Sequence, residues 1–195
     1  MVVVGHSAGG WLAKAAVGLA LEEEEGGEGD LRDMVAAIVS LGAPHVPPPA
    51  GVFDPTRGVV ADVYRRFPAS FFLEGCAVVT VAGDSIVGDS SSEYPWARAS
   101  ATAYSTFGVG GGEGGTDGGG VAGDGTVPRQ FAHLPGASLQ LTLDAMHSVV
   151  VPGTSLSSTT WYGAERMVDR WLGPTVDLIV QQQERQQEEV EVGGV

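Results

Sequence analysis

The residues of this sequence with the clearest chemical meaning are Gly5-His6-Ser7-Ala8-Gly9. They follow a short β-branched run at residues 1–4, and they open an Ala/Leu-rich stretch, residues 8–21, whose apolar positions recur at helical spacing. A GxSxG pattern between a strand and a helix is typical of a nucleophile elbow, a sharp turn that exposes a serine hydroxyl at the carboxyl end of a sheet. The pattern therefore predicts that Ser7 is a nucleophile.

The turn makes demands on the residues around Ser7. We expect a strained backbone at Ser7, and we expect side chains at Gly5 or Gly9 to crowd the neighbouring backbone. The helix that begins at Ala8 would direct its free amide groups and the positive end of its dipole at charge developing beside Ser7. These features favour chemistry in which an anion forms next to the serine.

A serine nucleophile needs a base to take its proton and a carboxylate to orient that base. The chain offers four histidines, which are His6 inside the elbow, His45 after the second predicted strand, His133 shortly after Pro128, and His147 beyond the last predicted strand. His147 is the predicted base, because in such sheets the base follows the last strand and the chain order is serine, acid, histidine. His45 and His133 are expected to be ordinary loop histidines.

Two aspartates compete for the role of the acid. Asp84 ends the third predicted strand, whereas Asp124 lies between two glycines, ahead of the strand that leads to His147. Strand-end position alone favours Asp84, but the flanking glycines let the backbone turn sharply and aim the Asp124 carboxylate. We predict Asp124 as the acid and keep Asp84 as the alternative. Asp144, three residues before His147, is expected to end its strand or hold the loop.

The elements that must position these residues alternate along the chain. Strands are predicted at 1–4, 34–41, 76–81 and 137–143, and helices at 8–21, 56–67 and 161–172. This alternation predicts an α/β fold with a mostly parallel sheet flanked by helices. Glycine dominates residues 108–123, which predicts a flexible insertion, and Gly173 with Pro174 predicts the end of the last helix.

Composition excludes several other classes of function. Ten basic against 24 acidic residues give a formal charge of −14, which argues against binding nucleic acid or an anionic membrane surface. A hydrophobic content of 43% predicts one domain with a real core over residues 1–174, followed by a Gln/Glu-rich low-complexity tail at 175–195. Cys76 is the only cysteine and is expected to be a buried, inert thiol, so neither a disulfide nor structural zinc is predicted.

Membrane and targeting signals are also weak. The sequence contains no apolar run of the roughly 18 residues that a membrane span needs, and no targeting segment is recognisable. We therefore predict no transmembrane segment, while peripheral contact with a membrane stays open. The sequence indicates neither a compartment nor an oligomeric state.

Four segments taken together resemble the α/β-hydrolase superfamily. They are VVGHSAGGWLA at residues 3–13, LGAPH at 41–45, GDGTVP at 123–128 and MHS at 146–148. The resemblance is greatest to lipase-like members, including plant and algal proteins related to GPI inositol-deacylases, and it runs from residue 1 to about residue 172. In these relatives a segment like Trp161-Tyr162-Gly163 starts the last helix.

The resemblance implies a serine esterase that acts on a small-molecule or lipid ester, with lipid acyl esters as the substrate class. It implies Ser7 as nucleophile, Asp124 as acid, His147 as base and the Ala8 backbone amide as one oxyanion donor, with Asp84 as the fallback acid. Neither a metal nor an organic cofactor is implied. The resemblance leaves a plastid or another organelle open as the compartment.

The sequence departs from this family at its amino terminus. In α/β-hydrolases the elbow follows the fifth strand of an eight-stranded sheet, so the resemblance implies a fold whose amino-terminal strands are missing. The strand at 1–4 would then expose an apolar edge, and a second oxyanion amide from an earlier loop would be absent. A catalytically silent fragment and a noncatalytic protein of hydrolase fold are therefore the alternatives to an active esterase.

Overall fold

The fold is given by a computed structural model, which describes residues 1–23, 34–72, 75–109, 120–148 and 160–193. The elements in chain order are β1 (Val2–His6), α1 (Ala8–Glu23), β2 (Ala37–Leu41), α2 (Val59–Arg66), a 3₁₀ turn (Ala69–Phe71), β3 (Ala77–Gly83), β4 (Ile86–Gly88), α3 (Pro95–Ser105), β5 (Val121–Gly123), α4 (Arg129–Ala132), β6 (Leu139–Leu143) and α5 (Glu165–Gly193). The chain is therefore an α/β protein, as the alternation of predicted strands and helices indicates.

The main sheet has four strands in the order β1-β2-β3-β6, and all neighbours are parallel. Every residue of the central strands β2 and β3 is buried. Parallel strands covered on both faces are expected to be continuously apolar, which explains their sequences AIVSL and AVVTVAG. The register pairs His6 with Leu41 and Leu41 with Val81, so the loops after β1, β2 and β3 meet at one end of the sheet.

Helices cover both faces of this sheet. One core lies between the sheet and the helices α1 and α2, and includes Val17, Leu21, Ile38, Val63, Phe67 and Val78. The other lies between the sheet and α5, and includes Val39, Leu41, Val79, Val81, Met167 and Trp171. Side chains alternate along a strand, so adjacent residues of β2 and β3 stabilise different cores.

A small antiparallel ribbon joins β4 to β5, with α3 packed against β4. Val121–Gly123 of this ribbon fall inside 108–123, so the prediction of a flexible insertion is wrong for its last residues; residues 110–119 lie outside the described ranges. The glycine at the end of β5 serves close packing, because a Cβ at Gly123 would lie 2.4 Å from the carbonyl oxygen of Val127. A glycine-rich composition therefore conceals a paired strand.

The helix α5 continues through Pro174, where the sequence predicts its end. The proline removes the amide donor to the carbonyl of Arg170, and the buried Thr175 hydroxyl forms a separate bond to the carbonyl of Trp171 at 2.6 Å. The expected tail at 175–195 is thus helical as far as residue 193. Neither α5 nor any other helix in the described part of the chain is long and apolar enough to cross a membrane.

The strand β1 lies at the edge of the main sheet and pairs with β2. Val2 is 38% exposed and Val4 is 48% exposed. A β-branched edge strand with free backbone groups on its outer side is a template for further strand pairing.

Candidate active site

Ser7 occupies the turn between β1 and α1 in a left-handed conformation, with φ of 55°. Non-glycine residues rarely adopt this region, and holding one there costs about 1–3 kcal/mol. Two backbone hydrogen bonds stabilise it: Ser7 N donates to Leu41 O at 2.9 Å, and Gly10 N donates to Ser7 O at 3.0 Å. The hydroxyl therefore lies at the carboxyl end of the sheet, where the loops after the strands converge.

Two glycines make the turn possible, and one of them is not the expected residue. A Cβ at Gly5 would lie 2.2 Å from the carbonyl oxygen of Gly9, which no relaxation of a side chain could relieve. A Cβ at Gly9 would meet nothing within 4 Å, so the predicted crowding at Gly9 is wrong. Gly10 is required instead, because its Cβ would lie 2.4 Å from the Cβ of Ala43. The helix turns Gly10 toward the sheet and Gly9 away from it.

The structure brings Ser7, His147 and Asp124 into one chain of hydrogen bonds. The Ser7 hydroxyl lies 3.0 Å from His147 Nε2, and His147 Nδ1 lies 2.8 Å from Asp124 Oδ2. Because an ionised carboxylate only accepts, Nδ1 carries the imidazole proton and Nε2 is free to accept the proton of the serine hydroxyl. Asp124 is 1% exposed and His147 is 9% exposed, so the pair is screened from water.

The Asp124 carboxylate is held by donors on both oxygens. Oδ1 accepts from the backbone amides of Thr126 at 3.0 Å and Val127 at 2.8 Å, and Oδ2 accepts from the Tyr162 hydroxyl at 2.9 Å as well as from His147. Gly125 enables this tight loop by adopting a φ of 100°. These four donors fix the position of the carboxylate beside His147.

The alternative acid, Asp84, makes a different contact. It follows β3, and its carboxylate lies 3.7 Å from Arg129 in a partly exposed ion pair. Asp144, expected to end its strand or hold the loop, forms an ion pair with Arg170 of α5. The carboxylate hydrogen bonded to His147 is therefore that of Asp124, and Asp144 links the end of β6 to α5.

The remaining histidines occupy three distinct environments. The His6 ring centroid lies 4.7 Å from that of His147, and partial burial and the nearby His147 lower the pKa of His6. His133 bridges the hydroxyls of Thr80 and Thr142, each at 3.1 Å. His45 is not an ordinary loop histidine, because it is 1% exposed, and its burial lowers its pKa to about 3.

Three further buried polar side chains are not part of the hydrogen-bonded chain of Ser7, His147 and Asp124. Lys14 Nζ, Ser40 Oγ and both ring nitrogens of His45 have no hydrogen-bond partner among the described residues. Burial lowers the pKa of Lys14, the only lysine of the chain, to about 8. Gly10 and Lys14 share the face of α1 that packs on the sheet, which explains how a lysine becomes buried in this helix.

The amide of Ala8 is the one predicted oxyanion donor that the elbow itself supplies. Ala8 is the first residue of α1, and the first four amides of a helix have no partner within the helix. Such amides and the helix dipole attract negative charge.

The sequence predicts Tyr162 only at the start of the last helix, whereas α5 begins at Glu165 and Tyr162 precedes it. Its hydrogen bond to Asp124 could not be found from local spacing, because 38 residues separate the two. The sequence features that relate to this contact are two glycines at strand ends, Gly42 and Gly83. A Cβ at either position would lie 2.9 Å from the Tyr162 hydroxyl.

Cys76 is buried, as the sequence predicts, and burial raises the pKa of its thiol to about 11. No group of three or more His, Cys, Asp or Glu side chains suited to a metal ion occurs within the described ranges.

No protein-family model matches the chain, and no curated protein is significantly similar to it in sequence.

Proposed function

We propose that the protein is a serine hydrolase of the α/β-hydrolase fold that cleaves carboxylic esters. The observation that carries this proposal is the chain of hydrogen bonds from Ser7 through His147 to Asp124, with distances of 3.0 and 2.8 Å. The positive φ of Ser7, between a strand and a helix, supports the same conclusion. The resemblance of the motifs to lipase-like hydrolases favours lipid acyl esters as the substrate class.

In the proposed reaction, Ser7 Oγ attacks the ester carbonyl carbon while its proton passes to His147 Nε2. Asp124 accepts the Nδ1 hydrogen bond and stabilises the imidazolium that forms. The Ala8 amide donates to the oxyanion of the tetrahedral intermediate. His147 then protonates the departing alcohol, which leaves the acyl group on Ser7. A water that gives its proton to His147 attacks this acyl ester, and His147 then passes that proton to Ser7 Oγ as the acyl–oxygen bond breaks and the carboxylic acid leaves.

Labelling with a fluorophosphonate probe tests the nucleophile directly, because the serine oxygen displaces fluoride from phosphorus only when a base accepts its proton. We expect the wild-type chain to be labelled at Ser7 and the Ser7→Ala variant to be unlabelled. Ser85→Ala is the matched control, since Ser85 is an exposed serine after β3 at the same end of the sheet. Peptide mass spectrometry should locate the phosphonyl group on Ser7.

Two outcomes would contradict the proposal. Labelling that survives Ser7→Ala would refute Ser7 as the nucleophile. A wild-type chain that melts cooperatively yet takes up no probe would favour a noncatalytic protein. If labelling depends on Ser7, turnover of p-nitrophenyl esters from acetyl to palmitoyl should rise with chain length when the substrates are lipid acyl esters.

A further inference from the structure

Tyr162 is a buried tyrosine whose hydroxyl contacts the carboxylate of the proposed triad. The hydroxyl donates to Asp124 Oδ2 at 2.9 Å, and the same oxygen accepts from His147 Nδ1 at 2.8 Å. Tyr162 is fully buried and Asp124 is 1% exposed, so water does not compete for this bond. Oδ2 therefore has two fixed donors, one on the histidine and one on the tyrosine.

The position of this hydroxyl is set by the ends of two strands. A Cβ at Gly42, after β2, or at Gly83, the last residue of β3, would lie 2.9 Å from the Tyr162 hydroxyl oxygen. A Cβ at Gly42 would also lie 2.5 Å from Asp124 Oδ2. Glycine at both positions therefore leaves the space in which the tyrosine hydroxyl and the carboxylate meet.

The backbone of Tyr162 is fixed as firmly as its hydroxyl. The indole nitrogen of Trp171, on α5, donates to the Tyr162 carbonyl at 2.9 Å. The preceding residue, Trp161, forms a parallel bridge with Met146, which directly precedes His147. The tyrosine is thus tied both to α5 and to the loop that carries the histidine.

Tyr162 is a permanent donor in this arrangement. Burial and the nearby Asp124 carboxylate raise its pKa well above the ordinary value, so the hydroxyl keeps its proton. Among the described residues, the titratable groups that also interact with Asp124 or its loop include His147, His6 and Tyr104. Of these, Tyr104 contacts the loop through Gly125, whose amide donates to its hydroxyl at 2.8 Å.

We propose that Tyr162 is a positioning residue for ester hydrolysis: its hydroxyl holds the Asp124 carboxylate so that Oδ2 faces His147, and it moderates the negative charge that the histidine senses. This inference rests on the proposed function. A hydrogen bond to a charged group contributes more than one between neutral groups, so its loss should be measurable in turnover.

Tyr162→Phe removes the donor and keeps the ring. We expect kcat for p-nitrophenyl esters to fall about tenfold to a hundredfold, with KM within about twofold. The acidic limb of the kcat/KM profile should move to higher pH, because a carboxylate with one donor fewer favours the imidazolium. Tyr104→Phe is the matched control, since Tyr104 is equally buried but bonds Ile86 O and Gly125 N rather than a carboxylate.

A second readout needs no substrate and separates the two proposals. The proton on His147 Nδ1 should give a low-field proton NMR signal, and Tyr162→Phe should move it further than Tyr104→Phe does. If the wild type is not labelled by fluorophosphonate, the proposed function fails whatever the NMR shows. If the wild type is labelled but Tyr162→Phe matches Tyr104→Phe in kcat, acidic limb and NMR signal, the positioning role is overturned.

Site-specific 3-fluorotyrosine at position 162 covers the case in which Tyr162→Phe does not fold. This analogue keeps the shape and donates more strongly. The acidic limb should then move to lower pH, opposite to the shift for Tyr162→Phe. An unchanged profile with an unchanged Nδ1 signal would overturn the inference.

Discussion

Asp124 contacts His147 through two separate hydrogen bonds. Its side-chain Oδ2 accepts from Nδ1 at 2.8 Å, and its backbone carbonyl accepts from the His147 amide at 2.9 Å. The two residues are 23 positions apart, with α4 and β6 between them. The double contact fixes both the distance and the direction of the imidazole relative to the carboxylate. The loops after β5 and β6 therefore position the histidine together.

Asp124→Asn and Asp84→Asn form a matched pair. We expect Asp124→Asn to lower kcat about 10⁴-fold. An amide NH₂ group in place of Oδ2 would donate to Nδ1 and so favour the wrong tautomer of His147. Asp84→Asn should change kcat less than about threefold, since it removes only a partly exposed ion pair with Arg129. Steady-state hydrolysis of a p-nitrophenyl ester measures both. A greater loss in Asp84→Asn than in Asp124→Asn would mean that the wrong acid is assigned.

The elbow glycines predict opposite effects of the same substitution. Gly5→Ala would place a Cβ 2.2 Å from Gly9 O and should destabilise the chain by about 1–3 kcal/mol or more, with loss of fluorophosphonate labelling. Gly9→Ala meets open space within α1 and should be neutral or stabilising by up to about 1 kcal/mol, since alanine is the better helix former. Urea denaturation compares the two. Equal destabilisation by both would contradict the geometry of the turn.

The parts of the fold that the sequence predicts are those encoded locally. The strand, elbow and first helix around Ser7 lie within one short stretch, so their types and spacing suffice. His147 could be selected because it follows the last strand. The choice between Asp84 and Asp124 could not be closed, because both lie at strand ends and only the folded loop shows which carboxylate meets the imidazole.

The features of the fold and site that the sequence does not predict depend on residues far apart in the chain. The β4–β5 ribbon pairs Ile86 with Gly123, and both strands are three residues long, too short to show a period. Tyr162 meets Asp124 across 38 residues. The burial of His45 likewise follows from the packing of its loop, which the spacing of residues in the sequence does not predict.

The exposed edge of β1 predicts a solubility effect. Val2→Lys adds a charge at an exposed edge position, which should disfavour strand pairing between molecules and raise the soluble fraction on incubation. The melting temperature should change by less than about 3 °C, because surface substitutions rarely cost more than about 0.5 kcal/mol. Val3→Lys is the control. Val3 packs against the core between the sheet and α1, so this variant should be less stable than the wild type. Unchanged aggregation of the Val2→Lys variant would mean that a surface other than the edge of β1 drives aggregation.

Lys14 should make stability depend on pH in a predictable direction. Burial lowers its pKa from 10.5 to about 8, so the unfolded chain binds the proton more tightly than the folded chain. Between these two values the unfolded state carries more protons, and the contribution of Lys14 to stability therefore rises with pH; below pH 8 the cost of burying the charge is constant.

Lys14→Met removes this cost while filling a similar volume. The variant should be more stable than the wild type at pH 7.5, and its advantage should shrink by about 2 kcal/mol at pH 9.5, as urea denaturation at both pH values can measure. Comparing the difference between the two chains cancels the ionisation of Cys76 and the buried tyrosines. Because Lys14 is the only lysine, ¹³C-lysine labelling gives one Cε signal whose titration reports its pKa directly. A midpoint near 10.5 together with a constant stability difference would show that the ammonium is solvated in the folded protein.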